Sequence, residues 1–180
     1  MNLKFSFIII AAAGSLGARP VSAEVLLTET AALARIFTGG APARQTLYLK
    51  APQVAAVEER AHSKLPSPVV TVFRGRSAAG EDLDAILDTH VVRTMPETVM
   101  AVAGADGTLR MALVLQFGEP PDYLPREGWL KTLDGKRLDD ELWPGRGVRR
   151  VSGATLTVQA LSEAVRRCLA IDALVLRGVQ

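Results

Sequence analysis

The sequence predicts an α+β fold, a single domain with a mainly antiparallel sheet and flanking helices. Its 180 residues are 48% hydrophobic and 22% charged, which suits one folded domain and excludes a disordered chain. Short β-branched and alternating stretches occupy the middle of the chain, where Asp106-Gly107 marks a hairpin turn. Amphipathic helical patterns lie mainly before and after these stretches. No repeat or linker divides the chain.

Residues 1–23 are predicted to be a secretory signal peptide. Lys4 gives a positive start, residues 5–13 are apolar throughout, and Val21-Ser22-Ala23 offers small residues for cleavage. A periplasmic or secreted protein is therefore expected, with an uncleaved N-terminal membrane anchor as the alternative. Removing the segment takes away Lys4 and Arg19 but no acidic residue, so the net charge of +2 falls to zero. We therefore expect no nucleic-acid partner.

Helix and strand signals alternate in the first half of the remaining chain. Thr28 is suited to cap a helix that runs to about Phe37. Pro52 opens a second helix, which is predicted to end near Lys64. Strands are predicted at residues 45–50, 69–73, 86–92 and 98–103, the last two being separated by residues 93–96.

A further strand is predicted directly after the Asp106-Gly107 turn. Simple alternation would place one set of apolar residues on a single face of it: Leu109, Met111, Leu113, Leu115 and Phe117. A proline-rich loop over residues 119–124 and a short helix around Trp129 follow. Residues 146–151 form a basic loop, and the last long helix is predicted from about Leu156 to Leu169.

The segment Ser152-Gly153-Ala154-Thr155-Leu156-Thr157 is the strongest candidate for a functional site. It is a turn of small residues that delivers a hydroxyl group to the start of an amphipathic helix. The unpaired amides and the positive dipole end of such a helix suit a phosphate group, and Gly153 and Ala154 let that group approach the backbone. Helix capping by Thr155 or Thr157 is the alternative interpretation.

This segment resembles the FMN-binding domain of the flavin subunits of the Rnf and Nqr complexes. In that family the threonine that ends Ser-Gly-Ala-Thr carries FMN through a phosphoester bond, which a dedicated flavin transferase installs. The resemblance implies FMN attachment at Thr155, with the neighbouring residues at the cofactor: Ser152, Gly153, Ala154, Leu156 and Thr157. It covers about residues 65–170, so that residues 65–180 become the FMN-binding domain and residues 24–64 a segment packed on it.

Two other segments are similar to the family. Glu119-Pro120-Pro121 stands where members carry Glu-Thr-Pro-Gly, and residues 88–94 resemble small secreted FMN-binding-domain proteins. Glu119 is expected to line the flavin pocket, and His90 is expected to move a proton to the reduced flavin, because imidazole titrates near neutrality. A loop cap is the alternative for Glu119, and a structural hydrogen bond to Asp88 is the alternative for His90.

Two positions depart from the family pattern. Arg149 stands where the transferase's recognition pattern has an aspartate, three positions before the serine, and Pro120 replaces a threonine expected at the flavin. Non-covalent FMN binding, or none, therefore stays open beside covalent attachment.

The expected function is that of a periplasmic flavoprotein that carries electrons, with the flavin transferase and a membrane or periplasmic redox protein as partners. A binding or assembly-accessory module without redox activity is the alternative, and a flavin-dependent reductase is a third possibility. One cysteine and two histidines exclude a disulfide framework, a zinc finger and a Cys-x-x-Cys-His haem site. No metal site and no nicotinamide-binding motif are predicted.

Overall fold

A computed structural model describes residues 23–139 and 141–178. The predicted signal peptide, apart from Ala23, lies outside these described residues. The described strands are β1 (Glu24–Val25), β2 (Ala43–Tyr48), β3 (Val69–Arg76), β4 (Asp82–Val92), β5 (Met95–Gly104) and β6 (Leu109–Phe117). The α-helices are α1 (Glu29–Ile36), α2 (Ala51–Ala61), α3 (Glu127–Leu130) and α4 (Thr155–Ile171). Short 3-10 turns cover Pro121–Tyr123 and Lys131–Leu133, and π-helical turns continue α4 over Asp172–Leu176.

The strands form one antiparallel sheet in the order β1-β6-β5-β4-β3-β2. This arrangement confirms the predicted α+β class with a single sheet and flanking helices. Both edge strands come from the segment before residue 65, because β1 pairs with β6 and β2 pairs with β3. The N-terminal segment is thus part of the same sheet as the rest of the domain.

The helix boundaries follow their local chemistry. The hydroxyl of Thr28 accepts a hydrogen bond from the Ala31 amide at 3.2 Å, as expected for the cap of α1. α2 ends three residues earlier than predicted, because His62 adopts the left-handed conformation, with φ +52°, that stops a helix. None of the helices in residues 23–139 and 141–178 has the length and apolar character needed to cross a membrane.

The connection between β4 and β5 is shorter than the sequence predicted. Residues 93–96 were expected to separate the strands, but β5 already begins at Met95. Met95 pairs with Val92 and Pro96 pairs with Val91, so only Arg93 and Thr94 form the turn. Arg93 has φ +54°, which matches the sharp reversal of the chain.

The prediction that five apolar residues of β6 share one face is wrong. The β5–β6 register shifts twice, between Thr98 and Val99 and between Val102 and Ala103. Each shift inserts an extra residue and changes the alternation of side chains. As a result Leu109 and Phe117 join one hydrophobic core, whereas Met111, Leu113 and Leu115 belong to the core on the other face.

The two cores lie on opposite faces of the sheet. The larger one packs α2 and α4 against the sheet, with Leu161 and Val165 of α4 fully buried, and the smaller one contains Ile36 of α1. Neighbouring residues of β4 alternate between them: Ala85 belongs to the smaller core and Ile86 to the larger. Burying a large aliphatic side chain such as that of Ile86 or Leu161 stabilises the fold by about 1.5–3 kcal/mol.

The direction of α4 decides where its first residue lies. Arg167 bonds to Asp88, Cys168 lies 3.7 Å from the carbonyl oxygen of Ile86, and Arg177 beyond the helix bonds to Asp84. Later residues of α4 therefore meet earlier residues of β4, and the helix runs antiparallel to that strand. Its N-terminus consequently points toward the end of the sheet where β4 turns into β5.

Candidate functional site

Thr155 is the first residue of α4 and is exposed. The N-cap is Ala154, which has no side-chain acceptor, and no side chain of the described residues makes a cap hydrogen bond there. Capping by Thr155 or Thr157, the alternative interpretation of this segment, is therefore wrong in this structure. The first-turn amides of an α-helix have no partner within the helix, so an uncapped start leaves them open to an anion.

The turn before α4 is open to solvent. Ser152 and Gly153 are exposed, and Gly153 has φ +83°, a conformation that glycine adopts at little cost. A Cβ atom built at Gly153 meets no atom within 4 Å. Leu156 is also half exposed, whereas Ala154 and Thr157 are buried. Of the two threonines, only Thr155 offers an accessible hydroxyl.

The basic loop before this turn is held by Trp129. The indole Nε1 of this buried tryptophan donates to the carbonyl oxygen of Arg149 at 2.7 Å. The other tryptophan, Trp143, has its ring 4.7 Å from the guanidinium carbon of Arg166. Trp129 thus fixes the path of the chain toward Ser152 from within the core.

Glu119 lies just after β6, at the same end of the sheet as the β4–β5 turn. The last residue of β6, Phe117, pairs with Glu97 near the start of β5. The guanidinium of Arg93 in the turn lies 4.5 Å from the ring of Tyr123, which ties this loop to the turn. The Oε1 atom of Glu119 is buried and has no hydrogen-bond partner among the described residues. A buried acceptor without a donor costs about 1–3 kcal/mol, and a donor supplied by a ligand would relieve that cost.

His90 lies between two carboxylates. Its Nδ1 is 2.8 Å from Asp88 Oδ1 and its Nε2 is 3.0 Å from Glu97 Oε2. Burial alone lowers the pKa of His90, but the hydrogen bonds to Asp88 and Glu97 raise it to about 9. The predicted structural hydrogen bond to Asp88 is therefore present, and both ring nitrogens of His90 are engaged.

Sequence reasoning missed the partner that completes this network. Arg167 of α4 bonds through Nε and Nη2 to the two oxygens of Asp88, both at 2.7 Å, and its Nη1 donates to Ser63 Oγ at 2.8 Å. Burial raises the pKa of Asp88, yet the bonds from Arg167 and His90 lower it overall. The available signal was the Arg166-Arg167 pair, which interrupts the apolar run over residues 164–171.

Glu97 is the least satisfied member of the network. Burial raises its pKa, although the hydrogen bond from His90 acts in the opposite direction. Its Oε1 atom is buried and has no hydrogen-bond partner in the described part of the chain. Within residues 23–139 and 141–178, no group of acidic, histidine and cysteine side chains is arranged to hold a metal ion.

The structure thus separates the predicted residues into two sets. Thr155 and its neighbours lie at the open start of α4, and Glu119 follows β6 at the same end of the sheet. His90 is tied instead into a buried ionic network that joins β4, β5 and α4. No hydrogen bond among the described residues links His90 to residues 152–157.

The raised pKa of His90 predicts how stability changes with pH. Because the pKa rises from 6.5 to about 9 on folding, the stabilisation is complete below pH 6.5 and is lost as the pH rises through 9. The shift corresponds to about 3 kcal/mol. We expect the stability advantage of wild type over His90→Gln to fall by about this amount between pH 6 and pH 10, measured by urea denaturation.

The comparison with His90→Gln removes one complication. Burial raises the pKa of the Cys168 thiol, so both proteins lose stability when that thiol ionises in the unfolded chain. This loss cancels in the difference. A stability difference that stays constant from pH 6 to pH 10 would contradict the prediction.

Neither a protein family, nor a curated protein, nor a solved structure matches this chain in sequence or fold comparisons.

Proposed function

We propose that this protein binds FMN at the start of α4, through a phosphoester bond to the Thr155 hydroxyl, and carries electrons outside the cytoplasm. One observation carries the proposal. Thr155 is exposed and is the first residue of a 17-residue helix whose N-cap makes no side-chain hydrogen bond. The Ser-Gly-Ala-Thr sequence at this position is the element that resembles flavin-carrying domains.

The residues around Thr155 suit a phosphate group. The amides of residues 155–157 belong to the first turn of α4, where backbone donors and the helix dipole favour an anion. Gly153 leaves the space beside them open. Arg149 and Arg150 are exposed in the preceding loop and add positive charge on this side.

Glu119 and His90, the other polar residues at this end of the sheet, have different roles. Glu119 offers a buried oxygen without a donor, which suits an N–H group of a ligand. His90 keeps its proton between Asp88 and Glu97, so its contribution is to hold β4 and β5 together. FMN, when bound, supplies one- and two-electron transfer, and the protein sets its orientation and its exposure to water.

The covalent bond fits the expected location. Charge–dipole attraction at a helix start contributes only about 0.3–1 kcal/mol, so it does not retain a cofactor by itself. A phosphoester prevents loss of FMN where replacement from the cytoplasm is not available. The proposed partners are a flavin transferase, which installs the bond, and a membrane or periplasmic redox protein.

The experiment is to export the wild-type chain from cells with and without an active flavin transferase. We expect in-gel flavin fluorescence only with the transferase, and an intact mass increased by FMN less one water. The same mass reports whether cleavage occurs after Ala23. A known substrate protein of the transferase, produced in the same cells, controls for transferase activity.

If the control protein carries the flavin and the wild-type chain from the same cells does not, the result counts against the proposal. Arg149→Asp then identifies the reason, because it restores the acidic residue of the family pattern. If Arg149→Asp regains the adduct, the transferase fails to recognise the natural chain. If it does not, covalent attachment at this site is rejected.

A further inference from the structure

A cavity of about 490 Å³ lies at the outer edge of β6, on the side away from β5. This volume falls within the usual range of small-molecule sites. Its walls come from the segment before α1, from β6 and from the region of α3. Most of the lining is apolar: Leu26, Leu27, Met111, Leu113, Leu124 and Leu130.

The cavity occupies a gap in the hydrogen bonding of the sheet edge. At one end of the gap, the amides of Leu26 and Leu27 bond to the carbonyl oxygen of Leu115. At the other end, Leu109 exchanges hydrogen bonds with Gly135 and Lys136. Residues 110–114 between them span roughly 16 Å of strand, and no strand of residues 23–139 or 141–178 lies on their outer side. The gap is therefore closed at both ends.

Both hydrophobic cores reach this gap. Met111 and Leu113 pack with the core beside α1, whereas Ala112 and Val114 belong to the core beneath α4. All four residues line the cavity. An occupant would therefore contact apolar surface on both sides of the sheet edge, which favours a ligand with an apolar body.

Among the charged residues that line the cavity, one cation has no partner in the described part of the chain. The Nζ atom of Lys131 lies 3.7 Å from Oε1 of Glu127. Burial raises the pKa of Asp134, and the nearby charge of Lys131 offsets only part of that rise. Arg35, in the last turn of α1, also lines the cavity and makes no hydrogen bond or ion pair with any of the described residues. Its guanidinium is available to an anionic group.

We propose that this cavity binds a small organic anion with a mainly apolar body, such as an aromatic carboxylate or sulfonate. The apolar body would fill the space beside Met111 and Leu113, and Arg35 would pair with the anionic group. A long extended peptide does not fit, because it would collide with residues 26–27 at one end and residues 135–136 at the other. Neither Glu119 nor any of residues 152–157 lines this cavity.

The test uses two fluorescent probes with similar ring systems, anilinonaphthalene sulfonate and the uncharged phenylnaphthylamine. We expect the exported chain to bind both probes. Arg35→Gln should weaken binding of the sulfonate about three- to tenfold and leave binding of the uncharged probe unchanged. Arg60→Gln is the matched control, because Arg60 is likewise exposed in the last turn of a helix but lies outside the cavity.

A second pair of variants tests the apolar wall. Leu26 is 42% exposed, so Leu26→Glu should fold while it weakens binding of both probes. Val69 is 46% exposed but lies elsewhere, and Val69→Glu should leave both probes bound. Thr155→Ala should also bind both probes as wild type does, because it affects only the site of the proposed function.

Four results would overturn the proposal. Equal weakening of the sulfonate by Arg35→Gln and Arg60→Gln would indicate non-specific charge attraction. Unchanged binding in Leu26→Glu, or lost binding in Thr155→Ala, would place the probes elsewhere. A dimer in sedimentation experiments that dissociates in Leu26→Glu and does not bind the probes would make this edge an interface between two copies of the chain.

Discussion

Replacing Thr155 with alanine is expected to remove all flavin that survives denaturation. The substitution deletes the only accessible threonine hydroxyl of the Ser152–Thr157 segment. Thr155 is exposed and caps nothing, so the free energy of unfolding should change by no more than about 0.5 kcal/mol. In-gel fluorescence and intact mass measure the adduct, and urea denaturation shows that the variant is folded.

Two further variants assign the effect to the Thr155 hydroxyl. Thr155→Ser keeps a hydroxyl at the first position of α4 and should retain the adduct. Thr157→Val should also retain it, because Thr157 is buried and its hydroxyl is not the accessible one. An adduct that persists in Thr155→Ala contradicts the assignment, and its loss in Thr157→Val alone moves the attachment two residues along the chain.

If FMN carries the electrons, transfer should follow its occupancy. Reduction of a small acceptor dye should increase in proportion to the fraction of chains that carry the adduct. Equal transfer by wild type and Thr155→Ala would contradict the electron-carrier proposal while leaving the attachment site intact. The attachment of FMN at Thr155 and its role as an electron carrier can therefore be tested separately.

The fold class and the start of α4 could be predicted because both depend on local patterns. Alternation of apolar residues, the Asp106-Gly107 turn and the hydroxyl of Thr28 act within a few residues of their position in the chain. The predicted start of the last helix, Leu156, differs from the observed one by a single residue. Such features carry their structural information in the nearby sequence.

The apolar face of β6 could not be predicted by the same reasoning. Its two register shifts depend on how β6 pairs with β5, and each one changes the face to which the following residues point. The early start of β5 likewise depends on pairing, because Met95 and Pro96 lie opposite Val92 and Val91. The alternation of apolar residues along one strand does not show how that strand pairs with its neighbours.

The buried network depends on contacts that are distant in the sequence. Asp88 and Arg167 are 79 positions apart, and only the packing of α4 on the sheet brings them together. The cavity beside β6 similarly requires residues 26–27, 111–114 and 124–134 to assemble. Sequence patterns therefore indicated the hydroxyl at the start of α4, but not the residues that hold this helix in place.

Removing Asp88 is expected to cause a large loss of stability. Its two oxygens accept hydrogen bonds from Arg167 at 2.7 Å, and both side chains are only 4% exposed. Asp88→Ala would leave the guanidinium buried with Ser63 Oγ and the more distant Glu163 as its remaining partners. Breaking a buried pair in this way costs about 3–5 kcal/mol. The free energy of unfolding from urea denaturation at pH 7 measures the loss.

Asp82 provides the control for this loss on the same strand. It bonds to Arg76 at 2.9 Å, but both side chains are 69% exposed, so Asp82→Ala should cost no more than about 1 kcal/mol. If Asp88→Ala proves too unstable to purify, the double variant Asp88→Ala/Arg167→Met should recover much of the lost stability, because it also removes the unpaired charge. Similar losses in Asp88→Ala and Asp82→Ala, or a double variant less stable than Asp88→Ala, would contradict the view that Asp88 compensates the buried charge of α4.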